Sequence, residues 1–297
     1  VQFGRLFYLA RYYLVSKFSQ RKQPILAGVK LTHRCSLRCR QCPYWRRPGP
    51  ELSWRQLQNL FPFLRQEGIR LLILEGGEPT LWRDGKKTLA DVIELAKKYF
   101  YTVGVTTNGL QPLIYPADIY WVSIDGLPDT HDCWRGKSFN RIMDHIRAAC
   151  SRVLANITIH RYNVREIPEL VKLLAGKVQG ITIQFFYPYP ESEDMLCSWE
   201  ERRWVLTELQ NLKQAGYPVA DSLAALEALK DNRWQCESWM IANVDPDGTY
   251  RQGCYLLNRT SGPSCALCGF AAHTEISLAY QLNWQALGAG REILGIF

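Results

Sequence analysis

The chain has 297 residues, 47% of them hydrophobic, ten cysteines and a formal charge of +8. That share of apolar residues is ample for a real core, which excludes a disordered chain, and no run approaches the roughly eighteen apolar residues of a membrane span. No charged-apolar-small leader suggests secretion, and the cysteines are grouped at ligand-like spacings, so the expected compartment is a reducing cytoplasm rather than one for a disulfide miniprotein.

Residues 3 to 20 read as a helix, with Phe3, Leu6, Phe7, Ala10, Tyr13, Leu14 and Phe18 at helical spacing and Arg5, Arg11 and Lys17 between them, Arg21 and Lys22 following. The expectation is a helix packed against the base of the following domain. An aromatic and basic amphipathic helix also fits an anionic membrane surface, so peripheral membrane association through residues 1–24 is the second reading.

Pro24 closes this segment, and residues 25 to 32 form a first buried strand that runs into Cys35-Ser36-Leu37-Arg38-Cys39-Arg40-Gln41-Cys42. Three thiols at C-x3-C-x2-C spacing are the informative feature. A closed zinc site and an electron-transfer [4Fe-4S] cluster each want four ligands, so three leave one coordination position open. Ser53 to Gln56 form a capping box that opens a helix ended by Gly68, and residues 71 to 74 are a second strand. That strand runs into Glu75-Gly76-Gly77-Glu78-Pro79, where paired glycines let backbone approach a neighbour closely.

The alternation continues with a helix over 89–99, a strand over 102–106 ending in Thr107-Asn108-Gly109, and a strand over 120–124 ending in Asp125-Gly126. A helix over 142–150, a strand over 154–159 ending in His160-Arg161, a helix over 167–174, a strand over 181–186 and a long helix over 200–214 follow. Six strands alternating with helices imply a parallel sheet with right-handed crossovers, and every polar motif falls at a strand's C-terminal end.

The three-cysteine loop, one strand before Gly76-Gly77-Glu78-Pro79, resembles the radical S-adenosylmethionine (radical SAM) superfamily. The resemblance implies a partial (β/α)6 TIM-like barrel over residues 25–218. It implies a SAM-binding [4Fe-4S] cluster on Cys35, Cys39 and Cys42, with Gly76, Gly77, Glu78 and Pro79 at the methionine amino group. Asn108, Ser123, His160 and Arg161 are candidate contacts to SAM ribose or carboxylate, Arg161 suiting the carboxylate because its guanidinium pairs bidentately. Phe186 and Tyr44 are candidate walls of the adenine or substrate pocket. Asp125 is the candidate substrate or ribose contact, and Cys133 and Cys197 are candidate hydrogen-atom donors. Cys150 reads as a buried apolar residue. Many relatives carry an aromatic or bulky apolar residue before the third cysteine, where this chain has Gln41, with Tyr44 and Trp45 beyond.

Beyond a helix over 222–229, Cys236 and Cys254 flank a hairpin marked by Asp247-Gly248, and Cys265-Ala266-Leu267-Cys268 adds two more thiols. Four thiols suit zinc or a fully ligated cluster, and their spacing does not choose. The arrangement resembles the twitch domain, a shortened SPASM domain, which implies an auxiliary [4Fe-4S] cluster in residues 219–297. Residues 276 to 295 read as a C-terminal helix or pair of turns. Gly253-Cys254-Tyr255-Leu256-Leu257, Cys265 to Phe270 and the basic lead-in are also loosely similar to radical enzymes that transfer an adenosyl group to a hopanoid lipid.

The resemblance implies reductive cleavage of SAM to a 5′-deoxyadenosyl radical that takes hydrogen from a small-molecule, lipid or peptide substrate. The auxiliary cluster is then the natural electron acceptor, which makes the net reaction an oxidation or bond formation, and flavodoxin or ferredoxin is the expected reductant. Adenosyl addition to a lipid alkene is the redox-neutral alternative. An iron-sulfur carrier would explain the cysteines but not the Gly-Gly-Glu-Pro stretch. A zinc-ribbon nucleic-acid binder would leave the open three-cysteine loop unexplained. Seven thiolates around two dicationic cores lower the charge to about +5, and the basic residues are scattered apart from the N-terminal segment, so no nucleic acid is expected. Peptide-modifying enzymes usually carry a recognition module, and none is evident in residues 1–24.

Overall fold

The computed structural model describes residues 2–20, 22–47, 49–187, 193–254, 256 and 265–295, with only the backbone at 2, 3 and 193. Arg21, Tyr255, Leu257 and the Phe3 side chain therefore lie outside the described residues. Six parallel strands form the body: β1 (Leu26–Lys30), β2 (Leu71–Glu75), β3 (Thr102–Thr107), β4 (Ile119–Ser123), β5 (Arg152–Ile159) and β6 (Gly180–Phe185). β7 (Ile241–Val244) joins the free edge of β1 in parallel, and β8 (Tyr250–Gln252) folds back on it, giving the order β8-β7-β1-β2-β3-β4-β5-β6. The expected β/α alternation thus holds over six strands. The C-terminal segment adds its hairpin to the same sheet.

Helix signals were strong where capping chemistry was local. α2 (Trp54–Gln66) begins at the Ser53/Gln56 capping box, and Gly68 follows its end at a φ of 105°. α3 (Leu89–Lys97), α5 (Phe139–Ala148), α6 (Ile167–Leu174), α7 (Trp199–Gln214) and α8 (Leu223–Asp231) return the chain between or after strands. α4 (Pro128–Arg135) was not expected as a helix, although Pro128 at its first turn and Gly136 at its end are the usual start and stop signals. Cys150 is exposed rather than buried, because α5 ends at Ala148 and Ala149 is extended, which breaks the periodicity that placed it inside. The C-terminal segment is a pair of helices, α9 (Ala271–Tyr280) and α10 (Trp284–Leu294).

One core joins these layers, with Leu31, Leu57, Phe61, Leu72, Leu74 and Trp82 fully enclosed. Each such side chain contributes roughly 1.5–3 kcal/mol on burial, and the Trp82 indole also donates to Leu52 O at 2.7 Å. α1 (Gln2–Phe18) closes the N-terminal end of the barrel: Tyr8 Oη donates to Gly68 O at 2.8 Å and Tyr12 Oη to Gln23 O at 2.7 Å. α10 closes the same end near β3 and β5, where Thr102 Oγ1 donates to Leu294 O at 3.2 Å and Arg152 to Ile293 O at 3.3 Å. With that end covered, chemistry is left to the C-terminal strand ends.

Candidate active site

The loop after β1 is held by contact with the end of β2. Gly77 N donates to Thr32 O at 2.7 Å and Glu78 N to Arg34 O at 2.8 Å. A Cβ on Gly77 would stand 2.3 Å from the carbonyl oxygens of both His33 and Arg34, and one on Gly76 2.3 Å from Thr32 O, so the paired glycines are what lets the cysteine loop seat. Glu78 is fully buried and its carboxylate accepts from Thr80 N (3.1 Å), Thr80 Oγ1 (2.7 Å), Thr107 Oγ1 (2.8 Å) and Asn108 N (2.7 Å). Burial nevertheless pushes this carboxyl above its ordinary value. Three of these donors reach Oε1 and one, Asn108 N, reaches Oε2, so the carboxylate ties the end of β2 to the end of β3.

Cys35, Cys39 and Cys42 lie within electrostatic reach of one another. The Cys39 thiol is pushed up to about 11, by burial first, with Arg135 opposing and Cys42, Asp125 and Cys35 adding to the rise. Cys35 is raised by burial as well, and its sulfur accepts from Leu37 N at 3.4 Å and Asn108 Nδ2 at 3.6 Å. Asn108, one of the sequence candidates, thus touches the cluster loop directly, and also donates to Ser36 Oγ at 3.2 Å.

Asp125 is fully buried and its carboxylate is committed within the protein. Oδ2 accepts from Gln41 Nε2 at 2.8 Å and pairs with Arg135 at 2.5 Å, while Oδ1 accepts from Thr158 N at 2.8 Å. Burial pushes this acid up, but Arg135 and the Thr158 N–H outweigh it and hold it below the usual carboxylate range. Gln41, the departure from an aromatic residue, is therefore one of the ties between cysteine loop and barrel. Arg135 also faces Cys39 and Cys42, which with Asp125 keep it charged against burial. Its neighbour Trp134 holds the loop's other side, accepting from Arg40 N at 3.0 Å. The place of Arg135 at the end of α4 is what brings it to the thiols.

At the rim, His160 is buried at the end of β5, 4.7 Å between ring centroids from Trp134. Its Nδ1 accepts from Tyr162 N at 3.2 Å, so the hydrogen sits on Nε2, which has no partner among the described residues. Burial holds its pKa down at about 4, so the ring is neutral. Ser123 is half-buried at the last position of β4, opposite Asn156, and Arg161 is exposed, its backbone N–H on Met195 O at 2.9 Å. Tyr44 is half-buried, 6.0 Å from the His33 ring, and the neighbouring Trp45 indole donates to Cys39 O at 3.0 Å. Cys133 is exposed on α4. Phe186 and Cys197 both line a small cavity of about 40 Å³ with Ile159, Leu196, Trp199, Arg202 and Leu267, between the β5 end and the second cysteine group.

That group spans the two edges of the open sheet. Cys236 and Cys254 flank the β7–β8 hairpin on the β1 side, and the loop of Cys265 and Cys268 docks on β6. There, Phe185 N donates to Gly269 O at 2.9 Å, and a Cβ on Gly269 would stand 2.3 Å from Phe185 Cβ. The Cys236 thiol is pushed up to about 12 by burial and then by Cys268, Cys254 and Cys265, so the four sulfurs share one neighbourhood. Arg202, from α7, pins this loop: Nη2 donates to Cys268 O at 2.6 Å and to Asn232 Oδ1 at 2.7 Å, and Nε to Leu229 O at 2.7 Å. The Cys197 thiol beside it is raised to about 12, by burial and then by Glu201.

No group of three or more His, Cys, Asp or Glu among the described residues closes tightly enough to hold a single metal ion. An iron-sulfur cube is several atoms across and needs its thiols round a wider space. Three thiols with hydrogen-bond donors on one sulfur and a guanidinium alongside fit such a group, as does the four-thiol set.

Residues 29–174 match the Radical SAM superfamily. The chain is 26% identical over 253 residues to a probable GTP 3′,8-cyclase of Methanopyrus kandleri, covering 77% of this chain and 80% of that one. It is 27% identical over 227 residues to the Fe-coproporphyrin III synthase of Methanosarcina barkeri, covering 68% of this chain and 56% of the relative. Streptococcus suis SuiB, solved with S-adenosylmethionine, superimposes at a TM-score of 0.67 and 12% identity over 87% of this chain and 67% of its own; solved with its precursor peptide SuiA it scores 0.66, at 13% identity over 86% of this chain and 66% of its own. At that identity the likeness is one of fold.

Proposed function

Because residues 29–174 belong to the Radical SAM superfamily, we propose that this chain is a radical SAM enzyme that oxidises its substrate with the help of a second cluster. The carrying observation is the three-thiol loop at the barrel rim, with Asn108 and Leu37 donating to Cys35 and Arg135 beside Cys39 and Cys42. In this reading Cys35, Cys39 and Cys42 hold a [4Fe-4S] cluster with one iron open. Cys236, Cys254, Cys265 and Cys268 hold an auxiliary one, within an auxiliary segment over 219–297 appended to a core over 25–218.

When bound, the first cluster and SAM supply an electron and a 5′-deoxyadenosyl radical, and the auxiliary cluster supplies an electron sink. The protein's own part is positional. The backbone of Gly76 and Gly77 receives the methionine ammonium, Arg161 pairs with its carboxylate, and Ser123 orients a ribose hydroxyl. His160, neutral and with its Nε2–H unsatisfied, donates to an acceptor on the nucleoside, since a buried donor without a partner is costly until one arrives. Asp125 positions the loop through Gln41 and Arg135 instead of touching ligand. Arg135 places positive charge by the thiolates, which favours the reduced cluster. Cys197 and Phe186 line a small cavity between the second cysteine group and the β5 and β6 strand ends.

The relatives' names give GTP as what one cyclises and Fe-coproporphyrin III as what the other makes, and SuiB was solved with a peptide. These likenesses support the shared radical core. The extent of the SuiB fold makes a peptide the first substrate class to assay.

The test is anaerobic reconstitution of the wild type and a C35A/C39A/C42A variant, followed by iron analysis and a 5′-deoxyadenosine assay with SAM and a strong reductant. About eight irons in the wild type, about four in the variant and deoxyadenosine only from the former is the expected result. Full loading without SAM cleavage overturns the enzyme reading in favour of a carrier. About four irons plus zinc overturns the auxiliary cluster.

A further inference from the structure

α1 has two apolar sides, and only one of them faces protein. Tyr8, Tyr12, Tyr13 and Ser16 turn inward, where Tyr13 meets Tyr280 edge-on at 5.6 Å and Ser16 is buried. At about 100° per residue, Phe7, Ala10, Leu14 and Phe18 gather on the opposite side. Phe7 is 73% exposed, Leu14 56% and Phe18 86%. A surface helix ordinarily presents charged residues there, and one that is apolar on both sides has a second apolar neighbour.

The charge along this stretch of the chain has one sign. The chain holds no acidic residue before Glu51. Arg11 and Lys17, both exposed, border the apolar row. Beside the helix's first turn lies a hollow of about 370 Å³ lined by Arg5, Arg65, Lys97, Lys98 and Tyr101. Among the described residues only Lys97 of these four cations is in an ion pair, with Asp118 at 2.9 Å. Arg5 Nε and Arg65 Nη1 are buried without a hydrogen-bond partner among the described residues, and both guanidinium groups lie over the Tyr101 ring, at 5.3 and 5.1 Å from its centroid. Arg65 and Lys97 also complement the C-terminal ends of α2 and α3, but Arg5 comes from a different helix and has no such role.

We propose that the outward face of α1 docks on an anionic phospholipid bilayer. Phe7, Leu14 and Phe18 enter the boundary between headgroups and acyl chains, and Arg11 and Lys17 meet the lipid phosphates. No helix among the described residues is long and apolar enough to cross a membrane, so the contact is one of lying on the surface. The docked face is at the N-terminal end of the barrel, which leaves the strand ends with the cysteine loop facing away from the bilayer. The inference stands independently of the reaction.

The experiment is sedimentation of the full chain with phosphatidylcholine vesicles, with and without phosphatidylglycerol. Binding to the anionic vesicles alone, weakening with salt, is expected. F7S/L14S/F18S is expected to lower partitioning at least tenfold, and R11Q or K17Q by about fivefold each, with unchanged circular dichroism and iron content. Absence of binding to anionic vesicles overturns the proposal, as does binding that survives F7S/L14S/F18S. Light scattering that finds a dimer in the wild type and a monomer in that variant overturns it too, by assigning the face to a second copy of the chain.

Discussion

The two cysteine groups solve the same problem by opposite means. The first packs three thiols into eight residues between the ends of β1 and α2, and its supports come from three other strand ends and α4. The second draws four thiols from a span of 33 residues, 236 to 268, and relies on a hairpin at one sheet edge and a docked loop at the other. Each has a glycine at its point of closest backbone approach and an arginine as its main support: Gly77 and Arg135 for the first, Gly269 and Arg202 for the second. The first arginine is part of an ion pair facing the thiols, whereas the second spends its donors on carbonyl and amide oxygens. Local sequence therefore fixes the first set, and tertiary packing the second.

The glycines offer the sharpest separation of the two. Gly77→Ala puts a Cβ 2.3 Å from two backbone carbonyls that no rotamer change relieves. Loss of about four irons and of all deoxyadenosine formation is expected, with the second group still loaded. Gly269→Ala meets Phe185 at the same distance and is expected to remove the other four irons while SAM cleavage persists. Iron analysis paired with the deoxyadenosine assay reads both. Cleavage lost equally in both variants would mean that the two groups are not separable.

The arginines give smaller effects of different kinds. Arg135→Gln leaves Asp125 as a buried carboxylate without its cation, at a cost of about 3–5 kcal/mol, and withdraws positive charge from Cys39 and Cys42. Denaturant melts should show the loss, and redox titration should place the first cluster at a lower potential. Arg202→Gln strands the carbonyls of Leu229 and Cys268, roughly 1–3 kcal/mol each. Here faster loss of the second cluster on dilution is expected, with the first cluster's potential unmoved. A shift of that potential in Arg202→Gln would break the distinction.

Legibility followed the same division. The six strands, the capping box at Ser53 and the three-cysteine loop rest on patterns confined to a few residues, so periodicity and spacing reach them. Neither α4 nor the partners of Asp125 were legible, because Gln41, Asp125 and Arg135 are up to 94 residues apart and meet only through the sheet order. Gln41 carried a signal, being polar where relatives are apolar. Cys197 and Phe186 were assigned by their nearness to strand ends, and only the docking of the 265–270 loop on β6 shows that they also border the second cysteine group. Glu78 was legible as a motif but not as a strut, since its partners Thr107 and Asn108 lie on the next strand.

The smallest expected effect concerns how the second group is fastened to the core. Asp221 accepts from Ile183 N at 2.8 Å on the β6 side, and Glu275 of α9 accepts from Ser222 Oγ at 3.0 Å and from its N–H. Burial raises both carboxyls, and the nearness of Asp221 raises Glu275 further. A carboxyl raised in the folded state keeps a proton that the unfolded chain has already released. Stability is therefore greatest below the ordinary carboxylate range and declines as pH rises through neutrality, by at most about 1.4 kcal/mol per pH unit for each proton retained. Thermal melts should accordingly fall by a few degrees between mildly acidic and mildly alkaline buffer. Asp221→Asn and Glu275→Gln keep an acceptor oxygen without the charge, so either should flatten that slope. Because α9 follows directly from the loop of Cys268, alkaline buffer should also release iron from the second group before the first, and release in the opposite order would place the weak point at the barrel rim instead.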